Sequence, residues 1–179
     1  MDLKTTILSE HSKENTLQIV AYIGNNQKRF AELMELFLDD HYRTTQRAAW
    51  PLGIIGQQHP QLIQPYLATF VKLLGDKKQP SAVQRNITRI LQTAPLPEAI
   101  HGELMDACFT LVEAVETPIA IKAFSLTILG RLAKEYPDIK NEIKLLIEAN
   151  MEQASAAVKN RAGKVLQEMG KQSSAKPIK

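Results

Sequence analysis

The sequence has little of the chemistry that would staple a small domain or anchor it in a membrane. Cys108 is its only cysteine, which excludes an internal disulfide and a cysteine-rich zinc site. No segment approaches the roughly 18 apolar residues of a membrane span, and the N-terminus has no apolar run of signal-peptide length. A net charge of +3 over 179 residues says little about partners by itself. We therefore expect a cytoplasmic protein that is stabilised by an apolar core, without a membrane anchor.

Sequence motifs of enzyme active sites are missing as well. The histidines are scattered and form neither His-Glu dipeptides nor a HExxH metal motif. Gly53 and Gly56 lie within a helical pattern rather than in a phosphate-binding loop, and GxSxG and GxGxxG are absent. We therefore expect no enzymatic activity, no cofactor and no metal site.

The chain does contain a short, mainly apolar sequence motif that occurs five times. Successive copies are separated by 32, 36, 38 and 37 residues, a period typical of stacked helical repeats. The copies YIG, IIG, ILQ, ILG and VLQ end at Gly24, Gly56, Gln92, Gly130 and Gln167.

Apolar spacing inside each repeat predicts two helices. Val83, Ile87, Ile90 and Leu91 lie at i, i+4, i+7 and i+8, which is one face of a 3.6-residue period. The same register recurs at the other four copies of the motif, with the best match at the C-terminal ends of the helices. These five segments are the predicted second helices. The first helices are predicted over residues 27–38, 61–74, 97–115 and 138–149, and a capping helix is predicted near residues 2–10, before the repeats. The pattern predicts a single repeat domain over residues 1–170, followed by a disordered basic tail over 171–179.

Three segments, LDDHYRTTQRAAWPLGIIG, GDKKQPSAVQRNITRILQ and ETPIAIKAFSLTILGRLA, resemble HEAT repeats. In these repeats a first helix leads through an acidic turn to a second helix that begins with a basic residue. The resemblance implies an all-α fold, a right-handed α-α superhelix of the HEAT/ARM kind with about five helix pairs. It also implies that turn aspartates and second-helix basic residues help to tie neighbouring repeats together. The matching positions are Asp39, Asp40 and Asp76 in the turns and Arg47, Arg85 and Lys122 in the second helices.

Charge divides unevenly between the two sets of predicted helices. The second helices and the residues that follow them carry ten Lys and Arg against Glu135 and Glu168, whereas the first helix ending near Glu116 has no Lys or Arg. Since second helices line the concave side of HEAT-like solenoids, the resemblance implies a positive groove that attracts anionic partners. The alternative is an ordinary solvated face. The candidate ligand-binding residues are Arg47, Arg85, Arg89, Lys122, Lys159 and Lys164.

Two functions agree with these patterns. The first is a non-catalytic interaction scaffold that binds a protein or an acidic peptide through the second-helix face. The alternative is a nucleic-acid-binding protein related to the HEAT-like DNA glycosylases, which excise alkylated bases. Those enzymes need a catalytic carboxylate beside aromatic clamps, but here no Asp or Glu occurs between Asp40 and Asp76, and Ile54 stands four residues after Trp50. Trp50 itself precedes Pro51 inside a helix and is expected to pack against the core.

Overall fold

A computed structural model of the chain describes residues 1–39, 41–76, 78–152 and 154–173. Over these residues the secondary structure is helical, with eleven α-helices, three short 3-10 turns and no strand, which confirms the all-α prediction. The chain separates into two compact units, unit 1 (Met1–Leu96) and unit 2 (Pro97–Lys179). The single domain over residues 1–170 and the right-handed superhelix stay predictions.

The helices follow the five predicted pairs, three in unit 1 and two in unit 2. The first two pairs of unit 1 are α1 (Leu3–Ser9) with α2 (Lys13–Ile23), and α3 (Gln27–Phe37) with α4 (Tyr42–Gln58). In its third pair, α5 (Pro60–Ile63) and α6 (Leu67–Gly75) together form the first arm and α7 (Ser81–Leu91) the second. Unit 2 contains α8 (His101–Glu113) with α9 (Ile119–Leu132), and α10 (Lys140–Asn150) with α11 (Ala156–Ser173).

Helix ends follow from the local sequence. The side chains of Asp2, Ser12 and Asn26 each accept a hydrogen bond from a backbone N–H in the first turn of α1, α2 and α3, which otherwise lacks a partner. Gly24 ends α2 with a φ of +49°, a left-handed conformation that favours glycine. Pro118 lies directly before α9, where its fixed φ suits the entry to a helix.

Several boundaries differ from the predicted ones, and the three largest differences are as follows. The helix expected over residues 61–74 is broken by a 3-10 turn, Gln64–Tyr66, because Pro65 has no N–H for an intrahelical bond. The helix expected to reach residue 115 ends at Glu113, which leaves Val115 in the turn. Helix α11 runs to Ser173, so the prediction of a disordered tail is wrong for residues 171–173; residues 174–179 lie outside the described part of the chain.

The core of each unit lies between a layer of first helices and a layer of second helices. In unit 1, α4 packs against α3 and against the neighbouring second helices α2 and α7; in unit 2, α9 packs against α8 and α11. The predicted stripe of Val83, Ile87, Ile90 and Leu91 is fully buried, as apolar periodicity requires. Between the first helices of unit 1, the rings of Phe37 and Phe70 meet edge to face at 6.2 Å.

Of the three motif copies that end in glycine, two have the next second helix packed directly against that glycine. A Cβ on Gly56 of α4 would lie 3.2 Å from the Ile90 side chain of α7, and a Cβ on Gly130 of α9 would lie 3.0 Å from Val165 of α11. Neither neighbour leaves room for a larger side chain without a shift of the helices. The glycines therefore set the close spacing of second helices within each unit.

Candidate functional site

Basic residues outnumber acidic ones on four of the second helices, whereas the first helices are net basic in unit 1 and net acidic in unit 2. In unit 1, α4 and α7 carry four arginines and no acidic residue. In unit 2, α9 and α11 carry six basic residues against Glu168 alone, whereas α8 and α10 carry five acidic and two basic residues. The second helix α2 is neutral, with Lys13 and Glu14, so the name basic second-helix layer is used here for α4 and α7 in unit 1 and for α9 and α11 in unit 2.

Arg47, the first of the predicted ligand residues, is engaged within unit 1. Its Nη1 donates hydrogen bonds to the carbonyl oxygens of Leu8 at 2.6 Å and Ile7 at 3.3 Å. The last carbonyls of a helix lack intrahelical partners, so the half-buried guanidinium satisfies the end of α1 and binds it to α4. Arg47 therefore links neighbouring helix pairs, as the resemblance implies for this position. Its binding of an anion stays a prediction.

Arg85 and Arg89 lie one turn apart on α7 and so share a face of that helix. Arg85 is exposed and Arg89 half-buried, while the apolar stripe of α7 faces the core. Neither guanidinium forms an ion pair with a described carboxylate. Their charge is therefore not neutralised by a neighbouring side chain in the described part of unit 1.

The three predicted lysines lie in the basic second-helix layer of unit 2. Lys159 and Lys164 are exposed on α11, and Lys122 is half-buried near the start of α9. No carboxylate among the described residues pairs with any of them, whereas the nearby Lys134 lies 3.9 Å from Glu168. The structure thus places Arg85 and Arg89 together in unit 1, and Lys122, Lys159 and Lys164 in the second-helix layer of unit 2.

The turn aspartates contact their own turns, and Asp39 also contacts Lys4 of α1, but neither contacts a second-helix arginine. Asp39 accepts hydrogen bonds from His41, at 2.8 Å from Nδ1 and 3.1 Å from the backbone N–H, and Lys4 lies 3.6 Å away. The side-chain hydrogen bond from His41, followed by its backbone one, lowers the pKa of Asp39. Asp76 accepts from the N–H of Lys78 at 2.9 Å, which lowers its pKa as well. Neither aspartate ties a second-helix arginine, and Asp40 lies outside the described residues.

Each unit also has a crevice beside the turn that joins a first helix to a second. The unit 1 crevice has a volume of about 300 Å³ and the unit 2 crevice about 330 Å³. Leu38, Tyr42, Thr45, Leu73 and Lys78 line the first; Val115, Ile119, Lys122, Asn150, Ser155 and Val158 line the second. Of these residues the sequence singled out only Lys122 as a binding residue. The available signal was Val115, an apolar residue beside the Glu-Thr-Pro turn, which was assigned to the end of a helix.

Other residues with possible chemistry serve packing. Trp50 is half-buried, with its ring edge-on to His11 at 5.4 Å. His101 is buried at the start of α8, and its Nδ1 lies 3.0 Å from the Tyr136 hydroxyl. Cys108 is fully buried, and burial raises the pKa of its thiol to about 12.

Neither a metal-binding cluster nor a membrane span is found in the described ranges. Over these residues no group of three or more His, Cys, Asp and Glu side chains has an arrangement that could hold a metal ion. Nor does any helix within them have the length and apolar character to cross a bilayer.

Three helix pairs stacked in unit 1 and two in unit 2, each unit with close-packed second helices, define an α-helical repeat protein. The profile of the HEAT repeat domain family matches residues 3–169, and the chain belongs to that family. No curated protein and no solved structure gives a significant match to the sequence.

Proposed function

We propose that this protein is a non-catalytic interaction scaffold that binds a partner protein, through an acidic segment, on its basic second-helix layers. Membership of the HEAT repeat domain family suggests a repeat scaffold for interactions. The observation that carries the proposal is the set of basic side chains on α7 and α11 that no described carboxylate neutralises: Arg85, Arg89, Lys159 and Lys164.

Electrostatics explains why an acidic segment suits this surface. Basic side chains that lie close together on a helix repel one another, which raises the free energy of the unbound protein. A bound carboxylate offsets that repulsion. The two arginines on α7 also offer planar guanidinium groups, which bind carboxylates through paired hydrogen bonds better than an ammonium does. A partner segment with several Asp or Glu residues would therefore both offset this repulsion and form paired hydrogen bonds with the arginines.

Nucleic acid is the second candidate, since the same unneutralised charges would attract phosphates. Binding of this kind has a steep salt dependence, because each neutralised phosphate releases counterions. A relation to the alkylated-base glycosylases gains no support from the described residues, since α4 carries no carboxylate near Trp50 and the indole packs against His11. The overall charge of +3 is also modest for a protein that tracks a phosphate backbone.

Charge reversal of the second-helix layers tests the proposal. The purified protein is used to capture partners from a nuclease-treated lysate, and the captured proteins are identified and rebound as purified proteins. The variant Arg85→Glu/Arg89→Glu and the variant Lys159→Glu/Lys164→Glu should each weaken binding about tenfold or more, because attraction becomes repulsion. Lys28→Glu on α3 and Lys144→Glu on α10 make the same kind of change in the first-helix layers and should leave binding nearly unchanged.

The same samples separate the two candidate functions. A fluorescein-labelled single-stranded oligonucleotide and its duplex are titrated at about 50 and 200 mM salt, where contacts to 6–10 phosphates would change affinity by about 10³–10⁵. Tight, salt-sensitive binding of either, lost in both charge-reversed variants, would replace the scaffold by a nucleic-acid-binding protein. Partner proteins that bind the charge-reversed variants as well as the wild type would refute the basic layers as the binding surface.

A further inference from the structure

The crevices of the two units occupy equivalent places in the repeat. Each lies where a first helix ends and its second helix begins, and each is closed by the next first helix and the turn after it. Five residues that line the unit 1 crevice have a counterpart in the lining of the unit 2 crevice 77 residues further along. The pairs are Leu38 with Val115, Tyr42 with Ile119, Thr45 with Lys122, Leu73 with Asn150, and Lys78 with Ser155.

The rims of these crevices are the main places where large apolar side chains face solvent. Eight large apolar residues among those described are exposed, and four of them line the two crevices. Val115 is 86% exposed and Ile119 54% in unit 2, and Leu38 is 43% exposed and Tyr42 61% in unit 1. Clustered exposed apolar groups mark interaction sites, because scattered ones need no partner but a concentrated set gains from being covered.

Charge at the crevices points to the chemistry of the occupant. Lys122 in unit 2 and Lys78 in unit 1 form no ion pair with a described carboxylate. The carboxylate in the unit 1 crevice, Asp39, is already held by Lys4 and His41. In unit 2, Glu152 is exposed whereas Lys122 is half-buried on the same helix as Leu126 of the lining, so the cation is the less screened of the two charges.

We propose that each crevice binds one apolar side chain of a partner peptide that carries Asp or Glu beside it. The apolar side chain packs against Val115 and Ile119 in unit 2, or Leu38 and Tyr42 in unit 1, and the carboxylate pairs with Lys122 or Lys78. A volume of 300–330 Å³ lies at the lower limit of ligand pockets, which suits a single side chain better than a cofactor. The inference rests on the proposed scaffold function, and it adds an apolar binding site to the charged second-helix layers.

Peptide selection followed by anisotropy measurements tests this assignment. A phage-displayed library of random 12-residue peptides is selected on the full chain, and selected peptides are synthesised with fluorescein. We expect an apolar residue next to Asp or Glu in these peptides. Val115→Ser/Ile119→Ser and Leu38→Ser/Tyr42→Ser, combined in one variant, should weaken binding about tenfold or more, since the apolar contact is lost at both sites. Lys78→Glu/Lys122→Glu should weaken it to a similar extent.

The chain offers matched controls of the same kind. Leu145 is 65% exposed on α10 and Leu17 47% on α2, outside both crevices, so Leu17→Ser/Leu145→Ser removes exposed apolar surface and should leave affinity unchanged. Circular dichroism of all variants checks that helicity is retained, as expected because none of the substituted side chains belongs to the buried core.

Three outcomes would overturn the proposal: no enriched peptide, peptides that bind the crevice variants as tightly as the wild type, or peptides without an acidic residue. Sedimentation velocity tests whether a second copy of the chain is the occupant. A dimer that is lost only in the crevice variants would assign the crevices to self-association. Loss of peptide binding in the crevice variants, with unchanged partner binding in the charge-reversed second-helix variants, would refute the basic layers while the crevices stand. Unchanged peptide binding in the crevice variants, with loss of partner binding in the charge-reversed variants, would refute the crevice proposal alone.

Discussion

Arg47 in unit 1 and Lys122 in unit 2 are two of the basic residues that the HEAT resemblance implies near the start of a second helix, although in the register that pairs Thr45 with Lys122 they lie two positions apart. The guanidinium of Arg47 donates to two carbonyl oxygens at the end of α1. The ammonium of Lys122 lies beside a crevice and pairs with no described carboxylate. The first basic group holds two helix pairs together, and the second remains available to a partner.

This difference shows that two basic residues near the starts of second helices can have different roles. Arginine suits the packing role, because its fork of donors reaches two acceptors at once and its charge persists when half-buried. Lysine suits the open position, because its single ammonium is well hydrated until a partner carboxylate arrives. Unit 1 therefore uses Arg47 of its basic layer for internal cohesion, while unit 2 leaves Lys122 without a described carboxylate partner.

The largest expected effect concerns the glycines, at which the two units should behave alike. Gly56→Val in unit 1 and Gly130→Val in unit 2 should each lower the free energy of unfolding by about 2 kcal/mol or more, because the new side chain meets Ile90 or Val165 and forces the second helices apart. Urea denaturation followed by circular dichroism measures the change.

Gly163→Val is the matched control, because a Cβ at Gly163 of α11 meets no heavy atom within 4 Å. Its stability should stay close to that of the wild type. A large loss in only one of the two test variants would show that the units do not share this packing rule.

The second effect should separate the units. Arg47→Ala should lower the free energy of unfolding by about 1–2 kcal/mol, because it leaves two carbonyl oxygens of α1 without a charged donor. Lys122→Ala should change it by less than about 0.5 kcal/mol, as expected for a side chain without a described partner. Chemical denaturation of both variants, with Arg43→Ala on the exposed side of α4 as a control, gives the comparison. Equal losses at 47 and 122 would contradict the division of roles.

The smallest effect concerns pH and the turns. The hydrogen bonds from His41 lower the pKa of Asp39 from its ordinary value of 3.8, so the ionised carboxylate stabilises the folded state above about pH 4. That contribution is lost as the pH falls through the lowered pKa. Asp39→Asn should therefore reduce Tm at pH 7, and the difference from wild type should shrink by about pH 3. In unit 2, Glu116→Gln makes the same change in the corresponding turn and should leave Tm nearly unaltered; an equal reduction there would remove the contrast between the turns.

The helical architecture could be predicted because it depends on periodic burial. The stripe from Val83 to Leu91 must face a core, whatever the partner helices are, and the structure buries it together with most positions of its copies. The break at Pro65 was foreseeable from the chemistry of proline, although the apolar pattern of residues 61–74 continues through it.

The candidate sites could be predicted only in part. Charge in the second helices is a property of composition and register, so the sequence predicts Arg85, Arg89, Lys159 and Lys164 as candidate binding residues. Whether a basic side chain is free depends on what its long arm reaches in space, as Arg47 shows with acceptors 39 and 40 residues away. The crevices depend on helix ends: Val115 lies in a turn because α8 stops at Glu113, and helix boundaries are the least certain part of a pattern.

Cys108 gives unit 2 a built-in reporter of its own opening. The thiol is fully buried, is the only one in the chain, and is kept protonated by a pKa of about 12. A disulfide reagent therefore has to wait until α8 detaches, and its labelling rate measures how often unit 2 opens, while unit 1 contributes no signal. A ligand that occupies the unit 2 crevice would slow this labelling without touching the sulfur, so partner binding could be read from a reaction deep in the core.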